Sequence, residues 1–435
     1  MLDKIKNKKA KITIIGMGYI GLPTAIAFAN AGFRVYGFDI NGKVIETLKS
    51  GKIHIVEPDL QKAYEKVLNS GNLIPMNELD KSDIFIICVP TPFKKNEKEK
   101  IADLSYVESA SEMISKYVDK NNLVILESTV PPMTTEKIMG KIIEKNSNLK
   151  INRDFYVAHC PERVLPGKIL FELKNNDRII GASNKHAEEL AKSLYETILE
   201  KGKLYITDTI TAEMCKLVEN TYRDVNIAFA NELSIISDKL GIDVFNLIEL
   251  ANKHPRVNIL KPGAGVGGHC LAVDPWFIVE KFPKESKLIR VAREINDYKP
   301  HYIVEKIEKE VNYDKTKIIG ILGLAYKTNI DDLRESPSLE IAIELKEKGY
   351  HVYGCEPYSE EKEIKGIKNL EFNKIVEESD YLVLTLAHNK FLDKIDLLKD
   401  KNVFDAIGVM NEKNASIGVE IKWNKYLQML KLVKL

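Results

Sequence analysis

The sequence has little that would tie it to a membrane, a nucleic acid or an oxidising compartment. Of its 435 residues, 64 are Lys or Arg and 63 are Asp or Glu, so no net field of one sign exists to recruit a charged polymer or lipid surface. No basic patch interleaved with aromatics stands out. No apolar run approaches the roughly 20 residues of a membrane span. Cysteine is scarce: Cys88, Cys160, Cys215, Cys270 and Cys355 show neither C-x-x-C spacing nor a framework pattern. The first residues, Met1-Leu2-Asp3-Lys4 and the lysines that follow, lack the apolar stretch of a signal peptide. A reduced, cytoplasmic protein with no membrane or nucleic-acid partner is the expectation. His254 and His269 have no ligand spacing to a partner, so no metal is expected. The length allows two or three domains, each with its own core.

What the sequence does carry begins near its start. Residues 11–15 read as a short apolar strand running into Gly16-Met17-Gly18-Tyr19-Ile20-Gly21. A helix over 22–31 with a small, apolar face follows, then a strand over 34–38 that ends on Asp39. The acid falls eighteen residues after Gly21, close to the ~20 expected of a carboxylate on ribose hydroxyls. Glycines allow the tight turn and the approach of a pyrophosphate, whose charge the helix N-terminus faces. Strand, turn, helix, strand and acid in this order predict a dinucleotide site, and Asp39 in place of a base favours NAD over NADP. Lys43 is placed on the pyrophosphate or adenosine side. Strands over 83–89 and 123–127 are near-continuous in apolar residues, as a parallel sheet covered on both faces requires. They end in Pro90-Thr91-Pro92 and Ser128-Thr129-Val130-Pro131-Pro132, at the edge where such sheets bind ligands. Thr91 and Thr129 are cofactor candidates there, although proline and threonine also simply end strands. A strand over 155–159 leads to Cys160-Pro161-Glu162-Arg163, at the same edge; that position sets Glu162 and Arg163 apart from an ordinary solvated turn.

Residues 211–240 read as one long helix with Met214, Leu217, Val218 and Phe229 at apolar spacing. Glu213, Lys216, Asn220 and Arg223 fall at i, i+3, i+7 and i+10, a single face. A salt-bridged solvent face and an oxyanion-binding stripe both fit that spacing. Donors gather again at 252–258, around His254 and Arg256, which suits an anionic or polyhydroxylated substrate. Gly263, Gly265, Gly267 and Gly268 then lead to Cys270, with Asp274 four residues on. Such a glycine run fits where something approaches the backbone closely or where φ is positive. Asp274 at an N-cap and Pro275 at N1 predict a helix start, where partial positive charge favours a Cys270 thiolate. A flexible loop holding a buried cysteine is the plain alternative. The glycines, His269 and Asp274 together point instead to a nucleophile.

A second long helix over 286–312 is expected to kink near Pro300. Strand and glycine turn recur at 317–327 without the full glycine pattern, and Ser336 with Pro337 predicts another helix start. Strands over 350–355, 381–386 and 403–405 complete a degenerate nucleotide fold. Lys327, Asp331 and Arg334 lie at its edge, where lysine and arginine suit a diphosphate, though a polar loop is the commoner fate of such residues. The fold class expected is α/β: two Rossmann-like doubly wound parallel-sheet domains joined by a long central helical region. The expected divisions are 1–206, 207–313 and 314–435.

Gly16 to Gly21, Val89-Pro-Thr-Pro92, Glu127-Ser-Thr-Val-Pro-Pro132, Glu213 with Lys216 and Asn220, Gly267-Gly-His-Cys270 with Asp274, Gly323-Leu-Ala-Tyr-Lys327 and Arg334-Glu-Ser-Pro337 together resemble the UDP-glucose/GDP-mannose dehydrogenase family. The matches run in family order over about residues 11–410. Residues 254–260 and 266–277 look most like the branch that oxidises UDP-N-acetylmannosamine, and a branch acting on UDP-N-acetylglucosamine differs little. Where UDP-glucose enzymes carry a second glutamate four residues after the one at Glu162, Pro166 stands here, which argues against UDP-glucose. The resemblance implies NAD bound by Gly16, Gly18, Tyr19, Ile20, Gly21, Asp39, Lys43, Thr91, Thr129 and Arg334. It implies a UDP-sugar held by Arg163, Val164, Lys216, Asn220, Arg223, His254, Arg256, Gly267, Tyr326 and Lys327. Cys270 would carry a thiohemiacetal and then a thioester, with Lys216, Asn220, Asp274 and Glu162 as its catalytic partners. An arginine near Arg256 typically comes from a neighbouring subunit in this family, and the central helices form its dimer; a homodimer or dimer of dimers is expected. The product, a uronate, would enter a surface polysaccharide or glycan.

Overall fold

The computed structural model describes residues 1–94, 99–165 and 167–410. Pro166, part of the charged loop at 94–100 and the end of the expected third domain lie outside them. Two compact units emerge: Met1–Asn220 with Trp276–Glu285, and Thr221–Pro275 with the chain from Ser286 onward.

The first unit is built on an eight-stranded sheet of β1 (Lys11–Ile15), β2 (Arg34–Phe38), β3 (Leu73–Met76), β4 (Ile84–Ile87), β5 (Leu123–Leu126), β6 (Tyr156–His159), β7 (Arg178–Ala182) and β8 (Leu204–Asp208). Their spatial order is β3-β2-β1-β4-β5-β6-β7-β8. All pairings are parallel except β6 with β7. Every residue of β4 and β5 is fully buried, because side chains of alternating parity feed two cores. Ile84, Ile86, Leu123 and Ile125 meet Leu22, Ile26 and Phe28 of the helix Gly21–Asn30. Phe85, Ile87, Val124 and Leu126 face the opposite layer with Val107, Ile114 and Met139. The apolar runs read at 83–89 and 123–127 are thus strands, trimmed by their polar and proline ends. The antiparallel β7 and half-exposed β8 extend the sheet beyond the strands the sequence predicts.

The second unit holds a six-stranded sheet of β9 (Ile318–Leu322), β10 (His351–Cys355), β11 (Glu363–Ile364), β12 (Ile367–Asn369), β13 (Tyr381–Leu384) and β14 (Val403–Asp405), ordered β11-β12-β10-β9-β13-β14. Setting the short antiparallel β11 aside, β12-β10-β9-β13-β14 repeats β3-β2-β1-β4-β5. The repetition extends to backbone detail. Gly16, at φ +92, donates its N–H to Phe38, the last residue of β2, at 2.8 Å; Gly323, at φ +98, donates to Cys355, the last of β10, at 3.0 Å. Positive φ at both turns is what glycine alone adopts without strain.

A 32-residue helix, Thr209–Leu240, joins the units along the chain. Leu217 is buried, but Val218 and Phe229 are half exposed, so the apolar spacing read on this helix is split between two faces. The helix Lys287–Glu310 runs through Pro300 without ending. Proline has no N–H for the Asn296 carbonyl, and the Gly265 backbone passes over that carbonyl, since a Cβ on Gly265 would lie 3.2 Å from it. Ser336 caps the helix Pro337–Glu347 by accepting the Leu339 N–H, with Pro337 at its first position.

Candidate active site

The first-unit cradle is set by Gly16 to Gly21. A Cβ on Gly21 would lie 1.8 Å from the Gly16 carbonyl oxygen, and one on Gly16 2.7 Å from that of Cys88. Both glycines are therefore required by the protein's own backbone. Gly18 is different: nothing lies within 4 Å of a Cβ built there, so the space over it is open to a ligand. The helix Gly21–Asn30 opens with no side-chain cap; its Leu22 and Thr24 N–H groups bond the Gly18 and Ile20 carbonyls at 3.1 and 3.0 Å, and the positive end of its dipole faces the turn. Asp39 holds the turn, accepting the Met17 N–H at 2.9 Å and the Asn41 N–H at 2.8 Å, and keeps lone pairs for a diol. Tyr19 is exposed and Ile20 half-buried at the helix mouth, and the Lys43 side chain is exposed beyond Asp39. These groups fit a dinucleotide. The Thr91 hydroxyl donates to the Thr129 carbonyl at 2.6 Å and that of Ser128 to the Val89 carbonyl at 2.6 Å, so the two edge turns are stitched to each other. Each threonine oxygen can still accept from a ligand.

Sequence reasoning missed what lies beneath this cradle. Glu127, 2 % exposed, accepts from Thr24 at 3.1 Å, from Tyr195 at 2.6 Å and from the Cys88 thiol at 3.3 Å. Arg178, 3 % exposed, pairs with Glu162, lies 3.9 Å from Glu127 and stacks 5.1 Å from the centre of the Tyr195 ring. Two carboxylates thus share one buried guanidinium. Burial pushes the Glu127 carboxyl up, against the pull of Arg178 and with the push of Glu162. An acid closing an apolar strand was the one available signal. Glu162 also accepts the Arg163 N–H at 2.8 Å, so both its oxygens are engaged. Arg163 is tied by its guanidinium to Glu219 at 2.7 Å and to the Asp177 carbonyl at 3.1 Å; Val164 is half-buried beside it. Glu57 caps the same loop, accepting the Gly167 and Ile169 N–H groups at 2.8 and 2.9 Å.

On the long helix, Glu213 is not part of a solvated face. It is 1 % exposed and accepts the Met133 N–H at 2.6 Å, the Thr135 N–H at 2.7 Å and the Thr135 hydroxyl at 2.6 Å. Burial raises its carboxyl despite those bonds. Asn220 is buried and Lys216 half-buried on the same stripe, whereas Arg223, also in line, is exposed.

In the second unit, Cys270 is half-buried on a turn whose carbonyl accepts the Val273 and Asp274 N–H groups at 3.0 and 2.8 Å. The helix Asp274–Lys281 starts at Asp274 itself, one residue earlier than its reading as an N-cap, and Asp274 is 3 % exposed. The glycine run has a structural cause. Gly268 is left-handed at φ +83, and a Cβ on it would lie 2.7 Å from the Tyr326 ring; on Gly267 it would lie 2.3 Å from the Glu335 carbonyl oxygen. Tyr326 is thus brought against the cysteine turn. Lys327 and Asp331 are exposed beyond it, and Arg334 forks onto Asp332 through Nε at 2.9 Å and Nη2 at 2.6 Å. His254 and Arg256 stand exposed on a loop that Asn252 clips shut through Ile259, at 2.7 and 3.0 Å. Burial pushes the other four thiols up, those of Cys160 and Cys355 to about 12, which leaves them poor nucleophiles.

A dinucleotide cradle on one sheet, a repeat of that sheet, and a cysteine delivered beside the repeat by a glycine turn define a nucleotide-dependent oxidoreductase. The chain belongs to the UDP-glucose/GDP-mannose dehydrogenase family: it matches the NAD binding domain over residues 10–199, the central domain over 210–298 and the UDP binding domain over 320–412. It is an NAD-dependent UDP-sugar dehydrogenase. A UDP-N-acetyl-D-mannosamine dehydrogenase of Methanocaldococcus jannaschii is 47% identical over 411 residues, covering 93% of each chain. An NDP-N-acetyl-D-galactosaminuronic acid dehydrogenase of Ralstonia solanacearum is 44% identical, over 92% of this chain and 96% of that one. Among solved structures, a UDP-N-acetyl-mannosamine dehydrogenase from Staphylococcus aureus superposes with TM-score 0.83 at 43% identity, covering 91% of this chain and 94% of the other. Among the described residues no helix is long and apolar enough to cross a membrane.

Proposed function

We propose that the protein oxidises the C6 hydroxyl of UDP-N-acetyl-D-mannosamine to the carboxylate, a four-electron reaction consuming two NAD. The substrate follows the names of its relatives and the residues at 254–260 and 266–277. The observation that carries the chemistry is the glycine turn presenting Cys270, the one cysteine of the five that ends such a turn at a helix start. The Gly16–Gly21 turn and Asp39 would hold NAD, which would supply the hydride acceptor for both oxidations. Cys270 adds to the C6 aldehyde, retains it through the second oxidation as a thioester, and is released when water attacks. Lys216 and Asn220 donate to the oxygen that becomes negative. Asp274 and Lys216 hold and pass the proton. Glu162, fixed by Arg178, orients the loop of Arg163 and Val164 toward the sugar. Tyr326 and Lys327 take the uridine diphosphate; Arg223, His254, Arg256 and Gly267 complete the substrate contacts, and Arg334 answers to the cofactor. The proposed domains are 1–206, 207–313 and 314–435. The uronate suits a surface polysaccharide or glycan.

Two copies of the chain are proposed to pair through the long helix. Val218, Tyr222, Phe229, Ile236 and Leu240 are 48–68 % exposed and fall within about 40° of one another around the helix axis. That stripe lies opposite Glu213, Lys216 and Asn220. A glutamate at Tyr222 and Phe229 should give a monomer by light scattering; an unchanged mass excludes this face.

The deciding experiment counts NADH per sugar with UDP-N-acetylmannosamine, UDP-N-acetylglucosamine, UDP-N-acetylgalactosamine and UDP-glucose in parallel. About two NADH per UDP-N-acetylmannosamine and little from the others supports the reading. Turnover confined to another sugar reassigns the substrate, and one NADH per sugar removes the thioester.

A further inference from the structure

Three of the four glycines before Cys270 are accounted for by one loop, residues 326–337. Besides the approaches of Gly267 and Gly268 to Glu335 and Tyr326, a Cβ on Gly265 would lie 3.0 Å from Pro337. The Gly268 N–H donates to the Arg334 carbonyl at 3.1 Å. A chain without side chains has little rigidity of its own, so the place of Cys270, two residues on, is inherited from the loop it rests on.

Asn329 fastens that loop at its tip. Asn329 is left-handed, at φ +62. Asparagine is one of the few residues with a side chain that adopt this conformation readily, and its contacts decide whether it is held there. The contacts are present. The Asn329 N–H donates to Nδ1 of His388 at 2.9 Å, and its Oδ1 accepts from the Tyr358 hydroxyl and from the Asn389 N–H, both at 2.9 Å. His388 is wholly buried, with the Tyr358 and Phe391 rings 5.2 and 5.1 Å away, centre to centre. Its other nitrogen lies 3.3 Å from Glu356, whose carboxylate accepts the Leu324 and Ala325 N–H groups at 2.9 and 2.8 Å. One acceptor pair, His388 with Glu356, therefore fixes both the start of the loop and its tip. A second left-handed residue, Glu335 at φ +46, lies where the loop meets the glycines.

We propose that Asn329 and His388 are positioning residues for the nucleophile, acting on Cys270 through the 326–337 loop and the Gly265–Gly268 backbone lying on it. This rests on Cys270 being the nucleophile of the proposed reaction. Neither residue touches the reacting atoms. Their action is to hold one arrangement of a chain segment on which attack geometry depends, and displacement of about 1 Å in such a segment can cost roughly a hundredfold in rate.

The test uses the full-length protein with Asn329→Gly, which keeps the left-handed backbone but loses the side-chain oxygen, and with His388→Ala and His388→Asn. An asparagine amide oxygen can stand near the Nδ1 position and accept the Asn329 N–H. Rates of Cys270 alkylation by iodoacetamide are read by peptide mass mapping, beside kcat and the KM for NAD. Expected for Asn329→Gly and His388→Ala are a fall in kcat of roughly tenfold to a hundredfold and a severalfold change in Cys270 labelling. The NAD KM stays within about twofold, the Cys88 and Cys160 peptides remain unlabelled, and His388→Asn recovers much of the loss. Wild-type kcat and Cys270 labelling in folded Asn329→Gly overturn the proposal, as does an NAD KM that moves as far as kcat. Because labelling needs no turnover, it still decides the positioning role if the wild-type protein makes no NADH from any UDP-sugar, the result that would instead overturn the reaction.

Discussion

Gly18 and Gly21 belong to one motif, yet the structure gives alanine at each a different consequence. At Gly21 the added carbon would meet the Gly16 carbonyl oxygen at 1.8 Å and Cys88 Cβ at 3.2 Å. Reaching ordinary contact requires the helix start and the turn to part by roughly 1.5 Å. Overpacking of this kind costs about 1–3 kcal/mol, and at about 2–4 °C per kcal/mol for a unit of this size the melting of the first unit should fall by about 2–12 °C. At Gly18 a Cβ meets nothing within 4 Å and φ is not left-handed, so alanine should leave melting unchanged or raise it slightly through a less flexible unfolded chain. Its only cost is to a ligand that must approach the bare backbone. Scanning fluorimetry without nucleotide, beside calorimetric titration with NAD, separates the two. Gly21→Ala should lose both stability and NAD affinity; Gly18→Ala should keep its melting temperature while its Kd for NAD rises about tenfold or more, some 1.4 kcal/mol. Wild-type NAD affinity in Gly18→Ala would refute the placement of the pyrophosphate over this turn.

Cys270→Ala should abolish steady-state NADH production from the UDP-sugar; retention of full activity would mean the oxidation stops at an aldehyde and uses no thiol. Burial raises the Glu356 carboxyl, but His388 and the Leu324 and Ala325 N–H groups outweigh it and hold it below its usual 4.5. Its contribution to stability is therefore present above pH 4.5 and lost as pH falls below that value. Glu356→Gln should flatten the acid limb of the melting curve of the second unit, and identical acid limbs would count against that role. Lys299, 5 % exposed and bonded to the Ser234 hydroxyl at 2.6 Å, is brought down by burial to about 8. The unfolded chain binds more protons between about pH 8 and 10.5, so this group adds stability as pH rises through that window. At pH 7 its charge costs up to about 3 kcal/mol; Lys299→Met should match or exceed the wild type by urea unfolding, and a loss above 1 kcal/mol would show that the ammonium is well solvated.

The parts of the fold that could be read in advance were those with local signals. Strand, glycine turn, helix and acid at 11–39 announce themselves because each element follows from short-range chemistry, and the buried strands at 84–87 and 123–126 because both faces demand apolar residues. The antiparallel β7 and the polar cluster of Glu127, Glu162 and Arg178 depend on partners up to 51 residues apart, between Glu127 and Arg178, which no periodicity encodes. Glu213 shows the same limit. Its place on a polar stripe was legible, but only the fold reveals that it spends both oxygens on the 133–135 turn. The glycines before Cys270 mark a close approach, and the approaching groups include Tyr326 and Pro337 of the chain itself.

The two sheets use the same carboxylate device at the end of the second strand, and they differ in whether it stays open. Asp39 remains partly exposed with capacity for another donor, whereas Glu356 is 1 % exposed and closed over by His388. Rebuilding a full glycine pattern at 323–328 would therefore not convert the second sheet into another dinucleotide site. The acid that would have to meet the ribose is sealed, and vacating it means removing His388 and with it the bond that holds Asn329. One strand plan thus yields two non-interchangeable halves, the second unable to take the first's role without dismantling the loop on which the cysteine turn lies.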